Sequence, residues 1–183
     1  MNKIIASLLA ALALGASLAA CGSSSSTTAT TKSGTETFYG KVTGKAAITN
    51  NTVFALTFKG PVNTTGTQTL SGSGPKKGQS HTFPSKAGNL VATVTKTPVN
   101  TQKLLSASTC RFEYGTVVTY AVNGAKSTGS FAGSTGKGVV TVLFTAELPK
   151  LSSGKCNESN NAQPLASGAV GTFSGIGPLT VKS

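Results

Sequence analysis

From Cys110 to Val122 the sequence keeps a strict period of two. Cys110, Phe112, Tyr114, Thr116, Val118, Tyr120 and Val122 fall on one side of an extended segment, and Arg111, Glu113 and Thr119 fall on the other. That is the period of a strand with one buried face, whereas an amphipathic helix repeats near 3.6. After Asn123-Gly124, a strong turn signal, the same period returns in Val140, Val142, Phe144, Ala146 and Leu148. It also runs through Phe38, Val42, Ala46 and Ile48, through Phe54, Leu56 and Phe58, and through Leu90, Ala92 and Val94. Short candidates at Thr67–Leu70, Ala169–Phe173 and Pro178–Val181 complete the set, with Gly60–Ser85 read mainly as turns. The pattern predicts an all-β domain of about eight strands, the number that closes a small antiparallel barrel. A two-sheet β-sandwich is the alternative. With 22 glycines, no tryptophan, eight phenylalanines and three tyrosines, the composition suits short strands and many turns.

The N-terminus has a different character. Lys3 precedes an apolar run from Ile4 to Ala19, followed by Leu18-Ala19-Ala20-Cys21. A charged start, a short apolar middle and small residues before a cut are the parts of a secretory signal peptide. Small residues before a cysteine resemble the lipobox of bacterial lipoproteins, in which the Cys sulfur takes a diacylglyceryl group. A spanning helix, or a signal cut at an Ala-x-Ala-like site, are the competing interpretations. At this length, interrupted by Ser7, Gly15 and Ser17, the run is at the lower limit for spanning. The resemblance implies a signal peptide over 1–20, a lipidated Cys21 leading a Gly/Ser/Thr linker over 21–35, and an all-β domain over 36–183. It also implies an extracytoplasmic protein held to the cell membrane, since two acyl chains give a stable anchor where one does not. Cys110 and Cys156 are then the remaining thiols, a candidate disulfide in an oxidising compartment, with two separate buried thiols as the alternative.

The chain carries 16 Lys and Arg against four acids, Glu36, Glu113, Glu147 and Glu158, with no aspartate, for a net charge of +12. A basic exported protein can be drawn to anionic lipid heads or to an anionic envelope polymer. Nucleic acid is not expected, because the lysines are spread singly, Lys76-Lys77 being the one adjacent pair, and export separates the protein from it. Lysines that merely keep strand edges apart are the simpler explanation.

Residues Gly129 to Gly138 read GSFAGSTGKG. Four glycines permit a tightly folded connection, and Phe131 can plug one end of a core. The stretch resembles the Gly-x-Phe-Ala-Gly-Ala-x-Gly-x-Gly of allene oxide cyclase and dirigent-like barrels. That resemblance implies an eight-stranded antiparallel barrel with an apolar interior able to hold a small hydrophobic ligand. Phe112, Tyr114, Val118, Tyr120, Val142 and Phe144 are the residues expected to line a pocket or to fill a core. The polar and acidic pocket groups of the characterised family members have no match in this chain.

Chemistry-bearing constellations are sparse. The one histidine, His81, stands in Ser80-His81-Thr82-Phe83-Pro84 and reads as a surface or loop-packing residue. A triad lacks its parts, and a metal site needs three or four ligands that one His and no Asp do not supply. No cofactor is expected. Glu113 and Glu147 share the face opposite the larger apolar set, which points them to solvent, where surface pairing with basic neighbours is expected. Gly133–Lys137 fails the spacing of a phosphate loop, and the Ser-x-x-Lys matches at Ser134 and Ser152 lie in turns. The reading is a non-enzymatic barrel that binds an apolar small molecule or an envelope partner. An isomerase or cyclase, and a structural module without a pocket, are the alternatives. If Cys21 carries the anchor, Cys21→Ala will move the protein from the detergent phase to the aqueous phase and abolish lipid labelling. Unchanged membrane association of that variant would contradict the lipobox.

Overall fold

The structure, a computed structural model, describes residues 30–44, 52–70, 74–159, 162, 165 and 169–182. Cys21, the signal segment, Ala46 and Ile48 lie outside the described residues. Nine strands are present among those described: β1 (Thr31–Gly44), β2 (Val53–Lys59), β3 (Thr64–Thr69), β4 (Ser80–Ser85), β5 (Gly88–Val94), β6 (Val99–Ser106), β7 (Arg111–Val122), β8 (Thr135–Glu147) and β9 (Ala169–Lys182). All pairings are antiparallel. The order is β5-β4-β3-β2-β1-β9-β8-β7-β6, and an additional β5–β7 pairing closes eight strands into a barrel. β6 is the strand outside the ring.

Closure on β7 explains the position of β6. β5 pairs with the C-terminal part of β7, Val94 opposite Tyr120, and β6 pairs with the N-terminal part, Val99 opposite Val117. β5 and β6 therefore follow one another along the same edge of β7. Past the bend at 95–98 the chain leaves the barrel wall, and β6 is exposed along nearly its whole length.

Several expectations need correction. β1 begins at Thr31, inside the stretch assigned to the linker, because Thr31 to Thr35 pair with Lys182 to Pro178. β4 lies within the segment read mainly as turns, and β6 was not anticipated: its apolar residues do not alternate, since neither face is buried. The two C-terminal candidates are one continuous strand, β9, in which Gly171, Gly175 and Gly177 break the apolar rhythm without breaking the ladder with β1.

The core forms in two places. Inside the barrel, Phe38, Phe54, Leu56, Phe58, Phe83, Leu90, Tyr120, Val142, Phe173 and Leu179 pack together with Phe131. Phe131 ends a single 3-10 turn, Gly129–Phe131, is fully buried, and has its ring centre 6.0 Å from that of Phe58. The anticipated plug is therefore in place. Beyond the barrel, Cys110, Phe112 and Leu148 form a smaller cluster with Tyr114 and Cys156. Cys110 and Cys156 are disulfide-bonded across a Cα–Cα distance of 5.3 Å. Closing a loop of this length stabilises by about 4 kcal/mol through the unfolded chain.

Gly175 shows how tightly the interior is filled. It faces Phe38 across the β1–β9 ladder, and a Cβ there would overlap the Phe38 ring. Overpacking of this kind costs about 1–3 kcal/mol. Gly175→Ala should lower the urea midpoint of unfolding accordingly. An unchanged midpoint would show that the barrel has room at its centre.

Candidate functional site

The barrel axis is occupied by aromatic rings. The ring centre of Phe38 lies 5.4 Å from Phe58, 5.4 Å from Phe83, 6.0 Å from Phe173 and 6.3 Å from Tyr120. Phe54 continues the row of rings to Phe173 at 5.8 Å and Phe144 at 6.2 Å, both tilted. These are separations at which aromatic side chains attract one another. Of the six residues expected to line one pocket or core, Val118, Tyr120 and Val142 are in this interior and Phe144 packs against it. Phe112 and Tyr114 are not. β7 is longer than the barrel wall, so its N-terminal residues fall in the cluster beside the disulfide. Strand periodicity fixes which side of a sheet a residue occupies, and does not fix how far along the strand the barrel extends.

The interior holds a carboxyl that was not anticipated as a site residue. Glu36, on β1, is 2 % exposed. It occupies the strand position two before Phe38 and shares its inward face, a signal present in the alternation of Glu36 and Phe38. One carboxyl oxygen, Oε2, accepts the N–H of Val62 at 3.0 Å. This satisfies a backbone donor in the β2–β3 connection that would otherwise be buried unpaired. The other oxygen, Oε1, is buried without a hydrogen-bond partner. Across the ladders Glu36 stands beside Gly177, and Tyr120 beside Gly138. A Cβ on Gly177 would come within 2.7 Å of the Gly138 Cα, and one on Gly138 within 2.6 Å of the Tyr120 hydroxyl. The two glycines leave the row between Glu36 and Tyr120 without side chains. Burial pushes the Glu36 carboxyl up to about 7, against the smaller opposing effect of the Val62 N–H. Burial, and secondarily the charge of Glu36, push the Tyr120 phenol up to about 12.

His81 is not a surface loop residue. It lies on β4, half-buried, sharing the inward face with Phe83 and Ser85. Its Nε2 is buried without a hydrogen-bond partner, and burial lowers its pKa. Nearby, the barrel wall is incompletely zipped. β3 and β4 share one bridged pair, Gly66 with Ser85, flanked by the Lys86 N–H donating to the Thr65 carbonyl at 3.0 Å. The next hydrogen-bonded position would require an N–H on Pro84, which proline lacks, and the ladder stops there. Gln68, on the β3 side of this seam, has its Oε1 buried and unpartnered as well.

The outer surface is basic. Every described lysine is exposed. Glu113 is half-buried opposite Lys103, and Glu147 is half-buried opposite Arg111, so both acids face basic neighbours across their ladders. The carboxylates of Glu113 and Glu147 belong to the outward face of the wall, separate from Glu36. Among the described residues, no group of three or more His, Cys, Asp or Glu could hold a metal ion, and no helix is long and apolar enough to cross a membrane.

Fold and interior together define a closed eight-stranded antiparallel barrel, packed along its axis, with one buried acid and a basic exterior. No family model, no curated protein and no solved structure matches the chain.

The Glu36 carboxyl makes stability depend on pH. Its pKa rises from 4.5 to about 7 on folding, so the folded protein holds this proton more tightly than the unfolded chain. Its contribution is fully present below pH 4.5, is lost as pH rises through the window up to about 7, and stays lost above it. The loss is on the order of 3 kcal/mol. Glu36→Gln keeps an acceptor for Val62 and cannot ionise. Urea unfolding at pH 5 and pH 8 should show the variant gaining on the wild type at the higher pH. Parallel pH profiles would contradict this assignment.

Proposed function

We propose that this protein is a non-enzymatic, lipid-anchored barrel on the extracytoplasmic side of a bacterial cell membrane, and that it engages an anionic envelope polymer through its outer surface. The anchor rests on Leu18-Ala19-Ala20-Cys21. The observation that carries the partner class is the division of the molecule: aromatic rings take up the barrel axis, while every described lysine projects outside. With one of the four glutamates buried, the exterior is more one-sided in charge than the composition alone suggests. A large positive field raises the local concentration of a polyanion and speeds encounter. An enzymatic role draws on less: Glu113 and Glu147 lie on the outer wall, and the titratable groups inside, Glu36 and His81, stand in an interior taken up by aromatic rings, whereas acid–base work needs such a group within reach of a substrate.

A second reading, a barrel that admits a small apolar ligand, draws on the family resemblance and on one observation. The β3–β4 seam stops at Pro84 with Gln68 Oε1 and His81 Nε2 buried and unpartnered beside it. Mass spectrometry of small molecules released from the purified protein separates the two: a stoichiometric apolar compound would favour the seam.

The leading reading is tested with the full chain in uncharged detergent, mixed with a polyphosphodiester and with a neutral polymer of equal length. Retention on the polyanion alone is expected, weakening steeply as salt shortens the screening length from about 10 Å at 0.1 M to about 3 Å at 1 M. Equal retention on both polymers, or on neither, would overturn it.

A further inference from the structure

Lys76 and Lys77, the one adjacent basic pair in the sequence, lie on a groove of about 320 Å³ lined also by Gly74, Pro75, Thr97, Pro98, Asn100 and Thr116. Its walls come from three parts of the fold: the segment leading into β4, the bend between β5 and β6, and the faces of β6 and β7 where β6 leaves the barrel. The volume is at the lower end of the range for small-ligand sites. The lining contains two lysines and no acid.

The basic side of the groove is held in place. The Lys76 N–H donates to Gln79 Oε1 at 3.0 Å, and the Gln79 N–H donates to the Lys76 carbonyl at 3.0 Å. The Gly78 N–H donates to the Val94 carbonyl at 2.8 Å, fastening this turn to β5. On the opposite wall the Thr116 hydroxyl donates to Asn100 Oδ1 at 2.9 Å. That bond engages the Asn100 carbonyl and leaves its NH2 as the donor end. The lining residues carry two ammoniums, an amide NH2 and, on Thr97, a hydroxyl. All suit an oxyanion, and charge-assisted bonds from such donors are the stronger kind.

We infer that this groove is a binding site for a phosphodiester group, seated between Lys76, Lys77 and the Asn100 amide. The inference rests on the proposed affinity for an anionic polymer and assigns it to one place on the surface. A phosphodiester keeps a single charge and two non-bridging oxygens, which the two sides of the groove can share. A lipid headgroup carries the same group without a continuing chain.

The test uses the full chain in uncharged detergent, titrated calorimetrically with short-chain poly(glycerol phosphate) and, in a second arm, with glycerophosphoglycerol as the free headgroup. Lys76→Ala/Lys77→Ala is compared with Lys137→Ala/Lys182→Ala, which removes the same charge from the outer wall. Loss of two charge-assisted contacts should weaken binding by about tenfold or more for the first pair. The second pair should change it by about twofold or less, as for screened surface charge. Asn100→Asp, which retains an acceptor for Thr116 but replaces the amide donor by a repelling carboxylate, should weaken binding by at least about tenfold. Thermal unfolding of each variant confirms that it is folded. Tighter binding of the polymer than of the headgroup assigns the site to a chain, and equal affinity per phosphate assigns it to a headgroup. If wild type binds and the two double variants lose affinity equally, bulk charge is responsible and the groove is overturned. If wild type binds no anionic polymer, the proposed function fails and the groove fails with it.

Discussion

The packing of Phe38 against the bare backbone of Gly175 sets the terms for the rest of the barrel. An eight-stranded barrel encloses a space that side chains can just fill. Here Phe38 reaches the axis and meets the rings of Phe58, Phe83, Tyr120 and Phe173. It can do so because β9 presents glycine at the paired position. The same device recurs one row along, where Gly177 and Gly138 make space beside Glu36 and Tyr120. The glycines of β8 and β9 are thus part of the core, in that they determine which large side chains fit inside it.

Filling the barrel with rings has a consequence for polar groups. Glu36 meets one backbone donor and no second partner, so its proton becomes more tightly held as the chain folds. Gln68 and His81 sit where Pro84 ends the β3–β4 ladder, the weakest closure in the ring. Glu36, Gln68 and His81 each keep a buried polar atom without a partner on the inner side of the wall. The charged groups that remain are outside, almost all of one sign, and the groove at Lys76 and Lys77 is where they are combined with fixed neutral donors.

Much of this was legible in the sequence, for a definite physical reason. Where a strand has one buried face, its period of two is written in its residues. This revealed β2, β7 and β8, with Phe54, Leu56 and Phe58 inward as expected. Phe131 was recognisable as a plug because a lone large ring stood among glycines. β6 was not legible, since a strand outside the ring buries neither face and has no reason to alternate. β4 was obscured by Pro84, which signals a turn in sequence but here ends a ladder inside a sheet. The candidate site was harder still. Glu36 is in phase with Phe38, yet a carboxylate on a strand is ordinarily solvent-facing, and only closure of the barrel shows that the position is internal. Phe112 and Tyr114 share a face with Tyr120 but lie beyond the barrel's end, a distinction that depends on tertiary length.

Aromatic rings occupy the barrel axis, so an apolar ligand could enter only by displacing them. Thermal unfolding in the presence of fatty acids, isoprenoids and phenolics addresses this directly. A ligand at a hundredfold over its dissociation constant stabilises by about 2.7 kcal/mol, an easily measured rise in melting temperature. With the axis occupied, none of these compounds should raise the melting temperature. A saturable rise with any one of them would show that the interior admits a ligand and would contradict this.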